Sequence, residues 1–303
     1  MGRRRRIGAY GLCRQGERVL LVRGAAASGF PEVWQLPGGG VEQGEHPATA
    51  VRREFAEETG LLVEVTGIRA VVADVMRLAG PDGVVAEHTD RVIYDVTAVG
   101  GTLRRERDGT SDQVAFLTPA ELAGVPLLPF TAELLGQPVT PLTEGVLVTE
   151  PTGATGRADT GQRFSAYGLV TDPDGRVLLT LIADGYPGAG LWHLPGGGTD
   201  HGEQPTGALL RELVEETGQL GRVTELLDVS HRHDPAALGP EGRPVDWHVV
   251  RVIYRVVVEA PTPARVTEAA GGSTQRAAWF RPTEAATLPL TEVARDALAR
   301  LYG

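Results

Sequence analysis

The chain has 303 residues and a formal net charge of −10. That length suits two domains, each able to bury its own core, and the acidic balance argues against general nucleic-acid binding. There is no lysine, which excludes Schiff-base chemistry and a P-loop lysine; a single cysteine, Cys13, excludes an intrachain disulfide and fits a reducing, cytoplasmic setting.

Taken in chain order, Arg3 to Arg6 form a basic run of a kind more often disordered at a terminus, with no long apolar stretch behind it to suggest a signal peptide. A first strand is expected from Arg6, followed by β-rich runs at Val19-Leu20-Leu21 and Trp34-Gln35-Leu36. Pro37-Gly38-Gly39-Gly40 cannot sit within a helix or a central strand and reads as a loop. A helix then begins near Pro47, which the first turn tolerates, and stops at Gly60, a natural C-terminal residue. Val51 and Phe55, four apart, face the core. Long loops are expected at 76–90 and 231–247, with a late strand from His88 and a helix near 130–136. Gly136 to Gly161, rich in Gly, Pro and Thr, reads as a linker whose apolar run is Val146-Leu147-Val148. No run approaches the roughly 18–20 apolar residues of a membrane span.

The second half repeats the first. Arg53-Glu54-Phe55-Ala56-Glu57-Glu58-Thr59-Gly60 returns as Arg211-Glu212-Leu213-Val214-Glu215-Glu216-Thr217-Gly218, a shift of 211 − 53 = 158, and Glu45 returns as Glu203 at the same shift. The match extends to Arg6 and Arg163, Trp34 and Trp192, His88 and His248, and to a final helix near 291–301. The sequence therefore divides into 1–136, a linker at 137–160, and 161–303.

Glu54, Glu57 and Glu58 are spaced i, i+3, i+4 and share one helix face. Three neighbouring carboxylates repel each other, and oxygen ligands of this kind suit a hard divalent ion, Mg²⁺ first and Mn²⁺ next. Arg53 lies one residue before them, placed to hold a carboxylate through its planar fork. A solvated acidic face is the simpler reading of one copy; two copies with the same glycines and upstream glutamate favour a metal site.

The pattern G-x5-E-x7-R-E-U-x-E-E-x-G-U, with U a bulky apolar residue, resembles the Nudix box. The first copy fits throughout; the second departs only at Gln219, in place of the final apolar residue. The resemblance implies an α/β (α+β) chain of two tandem Nudix folds, each a mixed-sheet α/β/α sandwich. It implies metal-dependent hydrolysis of a pyrophosphate bond in a small nucleoside diphosphate-linked substrate, such as a nucleotide sugar, a triphosphate or a dinucleotide. By transfer, Glu54, Glu57, Glu58 and the Gly38 carbonyl are metal ligands, matched by Glu212, Glu215, Glu216 and Gly196. Glu57, Glu58, Arg53, Glu215, Glu216 and Arg211 form the catalytic set. Gly39, Glu45, Gly197 and Glu203 support it, and Glu106 or Glu268 is an alternative general base. Arg6, Arg163, His88 and His248 are candidate substrate contacts, against surface or structural roles; Trp34 and Trp192 are favoured as packing. Pro235, 16 residues after Gln219, has the spacing linked in this family with ADP-ribose; position 77 of the first copy is Arg77. Two further readings are a nucleotide-sensing module without turnover and a hydrolase of prenyl diphosphates. For a duplicated chain, an intrachain pseudo-dimer and a homodimer are both open.

Overall fold

A computed structural model describes residues 2–106, 109–142, 144–148, 159–238, 244–267 and 272–302. Each half is built around the helix that carries the acids. In the first, α1 spans Pro47–Thr59; His46 caps it by accepting a hydrogen bond from the Ala48 N–H, and Gly60 ends it in the left-handed region at φ 73°. Its apolar stripe, Ala50, Val51 and Phe55, is fully buried. A Cβ on Gly11 would lie 2.5 Å from the Phe55 ring, so the bare backbone at position 11 lets the helix sit down on the sheet.

That sheet is mixed. Its strands are β1 (Gly2–Gln15), β2 (Arg18–Gly24), β3 (Trp34–Gln35), β4 (Gly38–Gly40), β5 (Leu61–Gly80), β6 (Gly83–Gly101), β7 (Ser111–Leu117) and β8 (Gly145–Val146). Among the described residues the order is β3-β2-β1-β6-β5-β8, with β4 on β1 and β7 on β2. β1 runs parallel to β6, and β5 antiparallel to it. On the face opposite α1 lie α2 (Pro119–Leu122) and α3 (Pro129–Leu134); Phe130 of α3 meets the Tyr10 ring at 4.9 Å. Tyr10 and Gly11 thus serve opposite faces, as the two-residue period of a strand requires. Trp34 is buried in this core, as a packing residue would be.

The second half has β9 (Asp159–Thr171), β10 (Val177–Ile182), β11 (Trp192–His193), β12 (Gly196–Gly198), α4 (Pro205–Thr217), β13 (Arg222–Leu238), β14 (Pro244–Val257), β15 (Thr274–Phe280), α5 (Pro282–Ala285) and α6 (Glu292–Tyr302). The order is β11-β10-β9-β14-β13, with β12 on β9 and β15 on β10. Leu209 and Leu213 of α4 are fully buried, and Ala294, Ala297 and Leu298 of α6 pack with Leu169 and Trp192. The chain divides into two compact units, Met1–Gln162 with His231–His248, and Arg163–Ser230 with Val249–Gly303. No described helix is long and apolar enough to cross a membrane.

Three expectations change. Residues 76–90 are not a long loop: β5 and β6 form one hairpin turning at Pro81-Asp82, with register from Leu61↔Gly101 to Gly80↔Gly83. Residues 231–238 and 244–247 are likewise strand, while 239–243 lie outside the described residues. The Arg3–Arg6 run is ordered, because parallel pairing with β6 begins at Gly2↔Val85 and sets Arg4 3.3 Å from Glu87 and Arg5 2.9 Å from Asp90. At the end of the second box, Gln219 is buried without being apolar. Its amide donates to Thr262 Oγ1 at 2.9 Å and accepts from the Thr262 N–H at 3.0 Å, satisfying the polar group that burial strips of water.

A pH test follows from His193. Burial, and then the charge of Arg251, push its imidazole down to about 4. Its Nδ1 lies 2.6 Å from Thr291 Oγ1 and its ring packs edge-on to Tyr167. Between that value and the ordinary 6.5 the unfolded chain binds more protons than the folded one. Stability is therefore fully present above about pH 6.5 and falls as pH drops toward 4. Because the ring keeps some solvent access, the loss should be about 1–3 kcal/mol. Thermal unfolding of wild type and His193→Gln at pH 7 and pH 4.5 checks this: the variant should lose less over that interval, and equal losses would refute it.

Candidate active site

The two glutamate helices present the same hydrogen-bond network. Arg53 grips Glu45 with Nε and one terminal nitrogen, at 3.1 and 2.9 Å, and reaches Glu54 at 2.8 Å and Glu57 at 3.3 Å with the other. It also donates to the Gly40 carbonyl at 2.9 Å, tying helix to glycine strand. Arg211 repeats each bond: Glu203 at 3.0 and 3.1 Å, Glu212 and Glu215 both at 3.0 Å, and the Gly198 carbonyl at 3.3 Å. The planar fork is what serves so many oxygens at once.

Glycine is required where the helix meets this strand. A Cβ on Gly39 would stand 2.5 Å from Glu54 Oε1, and on Gly197 2.7 Å from Glu212 Oε1. The Gly38 N–H donates to Glu58 Oε2 at 2.8 Å, and the Gly196 N–H to Glu216 Oε2 at 2.9 Å. Gly38 and Gly196 are thus brought to the acids, with the amide N–H as the engaged group.

Glu58 and Glu216 are each only 4% exposed. Burial pushes the Glu58 carboxyl up to about 8, against the Gly38 and Ser111 hydrogen bonds, with Glu54 and Glu106 adding to the rise. Glu54 is raised by burial, and Arg53 opposes the rise. Glu45 moves the other way: its burial is outweighed by the hydrogen bonds from Arg53 and from the Glu42 backbone. Arg53 and Arg211 are pushed further up, first by their bonds to Glu45 and Glu203.

Two hydroxyls complete the site, and the motif does not reveal them. Ser111 Oγ donates to Glu58 Oε1 at 3.0 Å, and Thr274 Oγ1 donates to Glu216 Oε1. Both begin strands after Gly-Thr and Gly-Ser segments, and that matched position was the available signal. Glu106 accepts from the Ser111 N–H at 3.1 Å, close enough to raise Glu58. Glu268 lies outside the described residues.

Arg6 stacks over the glycine strand: a Cβ on Gly40 would meet its guanidinium at 3.1 Å, and Gly198 stands in the same relation to Arg163 at 2.4 Å. The two histidines differ: His248 lies within electrostatic reach of Glu45. His88 is fully buried beside Asp90 at 3.1 Å and does not line the cavity that holds Glu54 and Glu58. His248 is fully buried, 3.2 Å from Gln162, and its imidazole is pushed down to about 4 by burial and by His231 and His233.

A family model described as the NUDIX domain matches residues 2–137 and again 161–301. The chain belongs to the Nudix family. Among curated relatives, a MutT-like protein of Streptomyces ambofaciens is 34% identical over 110 residues, 36% of this chain and 61% of that protein. An RNA pyrophosphohydrolase of Agrobacterium fabrum is 42% identical over 55 residues, 18% of this chain and 32% of that protein. The chain thus spans less than two thirds of either relative. A crystal structure of a MutT NUDIX hydrolase from Burkholderia pseudomallei is 30% identical, covering 46% of this chain and 98% of that one with a TM-score of 0.37.

No group of three or more His, Cys, Asp or Glu side chains converges to metal-binding distance among the described residues. Arg53 draws Glu57 and Glu54 to itself, while Glu58 turns to Gly38 and Ser111. The donor set of this Nudix box nevertheless fits a hard divalent ion. It is all oxygen, Glu58 is buried and Glu54 half-buried, and burial raises both carboxyls, so a bound cation would offset a charge that burial disfavours.

Proposed function

We propose that the chain is a tandem pyrophosphohydrolase that cleaves the P–O–P bridge of a small diphosphate substrate with a divalent metal ion, Mg²⁺ first and Mn²⁺ next. The observation that carries this reading is the buried Glu58, held between the Gly38 N–H and Ser111 and repeated as Glu216 with Gly196 and Thr274. Glu54, Glu58 and Glu57 would hold the metal in the first half, and Glu212, Glu216 and Glu215 in the second. Bound metal offsets phosphate charge and makes water more acidic.

The chain's own residues do the rest. Water attacks one phosphorus, the bridging P–O bond breaks, and the proton released by the water passes to a carboxylate. The acceptor is a box glutamate or Glu106, which accepts from the Ser111 N–H while the Ser111 hydroxyl donates to Glu58. Arg53 fixes the acids, and Arg6 and Arg163, beside the glycine strands, serve as phosphate contacts. The pyrophosphohydrolase name of the Agrobacterium relative supports the bond type, and the substrate's attached group is left to the cavity.

Protein stripped with a chelator should cleave none of a panel of nucleoside triphosphates, nucleotide sugars and dinucleotides, and Mg²⁺ should restore cleavage. The measurement is phosphorus NMR of the products in ¹⁸O water, with the label entering a phosphate. A panel without any metal-stimulated P–O–P cleavage would overturn the proposal.

A further inference from the structure

The inter-domain segment does more than connect. β8 (Gly145–Val146) adds to the edge of β5 in parallel, Leu78↔Gly145 and Ala79↔Val146. Leu147 N–H donates to the Ala79 carbonyl at 2.9 Å, while the Val146 N–H donates the other way, to Gly29 in the loop after β2, at 2.8 Å. The segment is therefore bonded on two sides, to a sheet edge and to a loop. Gly145 lies against the Phe30 ring, where a Cβ would stand 2.6 Å from it. Leu147, on the same side by strand alternation, covers Gly80, its Cδ2 3.1 Å from where a Gly80 Cβ would be.

Val146, Leu147 and Val148 line the same cavity, of about 450 Å³, as Glu54 and Glu58. Its wall also includes Phe30, Met76 and Leu78, which are apolar, and Ser28, Thr89 and Arg91, which are polar. Thr89 and Arg91 are buried, and the Ser28 Oγ is buried with no hydrogen-bond partner among the described residues. A purely hydrocarbon group would leave the Ser28 Oγ and the Arg91 Nε unsatisfied; a planar ring with donors and acceptors on its edge would use them. In the second half, β13 ends the sheet and no strand pairs with its outer edge among the described residues.

We infer that the segment Gly145–Val148 is a specificity wall of the first site, with Leu147 closing a chamber that takes the nucleobase of a single nucleoside diphosphate unit. The inference rests on the pyrophosphohydrolase reading, and it differentiates the two halves: the first selects its leaving group through the segment that follows it.

The test uses the full chain carrying Glu216→Gln, so that turnover reports the first site. Two changes open or fill the wall: Leu147→Ala and Leu147→Trp. A third, Gly145→Ala, pushes the segment away through the Phe30 contact and the Gly29 carbonyl. Substrates are ADP-ribose, UDP-glucose, geranyl diphosphate and inorganic tripolyphosphate, which has no base. For the nucleotides, each variant should raise KM by about tenfold with kcat changed far less, the scale of a lost pocket contact. For tripolyphosphate KM should move less than twofold. Circular dichroism and thermal unfolding establish that each variant is folded, and a variant that does not fold is replaced by Leu147→Val, with the same kinetic readout.

Equal KM shifts for tripolyphosphate and the nucleotides, or no shift in any folded variant, would overturn the wall. Geranyl diphosphate as the sole substrate whose KM responds would overturn the nucleobase. Failure of the broader reading looks different: no substrate would be cleaved even by the chain with Glu216 intact.

Discussion

Replacing Glu58 by Gln and Glu216 by Gln together is expected to lower turnover of any diphosphate by about 10²- to 10⁴-fold, the usual worth of a positioned acid–base group. The amide matches the carboxylate in shape, so packing around α1 is kept. It cannot accept with both oxygens, and each parent carboxylate uses both: Glu58 takes the Gly38 N–H on one and the Ser111 hydroxyl on the other. In the metal-free protein the amide replaces a carboxyl that burial already keeps from ionising, since Glu58 is only 4% exposed and is pushed up to about 8. Metal-free thermal stability of the variant should therefore be unchanged or higher, while activity falls. Such a separation marks a group kept for chemistry at the expense of stability. Steady-state kinetics on wild type, the two single variants and the double variant, with unfolding curves on the same samples, test it. Full turnover by the double variant would sink the mechanism. Loss confined to one single variant would assign the chemistry to one half.

The box was legible because its chemistry is local. Arg53, Glu54, Glu57 and Glu58 lie within six residues, and helix periodicity alone puts the acids on one face. Glu45 joins them from a fixed distance along the chain. What lay beyond the motif was settled by pairing across the chain, which a single sequence states weakly. Ser111 reaches Glu58 because β7 pairs with β2, and nothing in one hydroxyl near a glycine announces that contact. The arginines at positions 3 to 6 lack the apolar pattern of a buried strand, yet acidic residues on β6 hold them in the sheet. Pro81 and Asp82 mark a turn, but only the long register on either side makes 76–90 a hairpin instead of a loop. His88, read as a strand-start residue open to substrate or structure, falls inside β6 and is closed off. Val146-Leu147-Val148 was visible as an apolar run, and its role depends on an edge that β5 leaves free.

Arg53→Lys is the second large effect expected, and it separates charge from geometry. Lysine keeps the positive charge but has one nitrogen in place of three. Arg53 uses all three: Nε and one terminal nitrogen for Glu45, that same nitrogen for the Gly40 carbonyl, and the other for Glu54 and Glu57. A single ammonium group can hold Glu45 or Glu54 but cannot clamp both while bonded to the glycine strand. The consequence is a loosened Glu54 and a glycine strand no longer tied to the helix, so the acids lose position before they lose charge. A misplacement of that kind costs about 10²-fold in rate. Stability should fall by about 1–3 kcal/mol, below the cost of a fully buried pair because the Arg53 side chain is 25% exposed. The decisive comparison is with Arg53→Ala. If charge alone mattered, lysine would restore most of the activity that alanine loses; if the planar fork matters, lysine and alanine should fall within a few-fold of each other. Lysine at wild-type rate, in a chain with Glu216→Gln so that the second site is silent, would show that Arg53 supplies only a field.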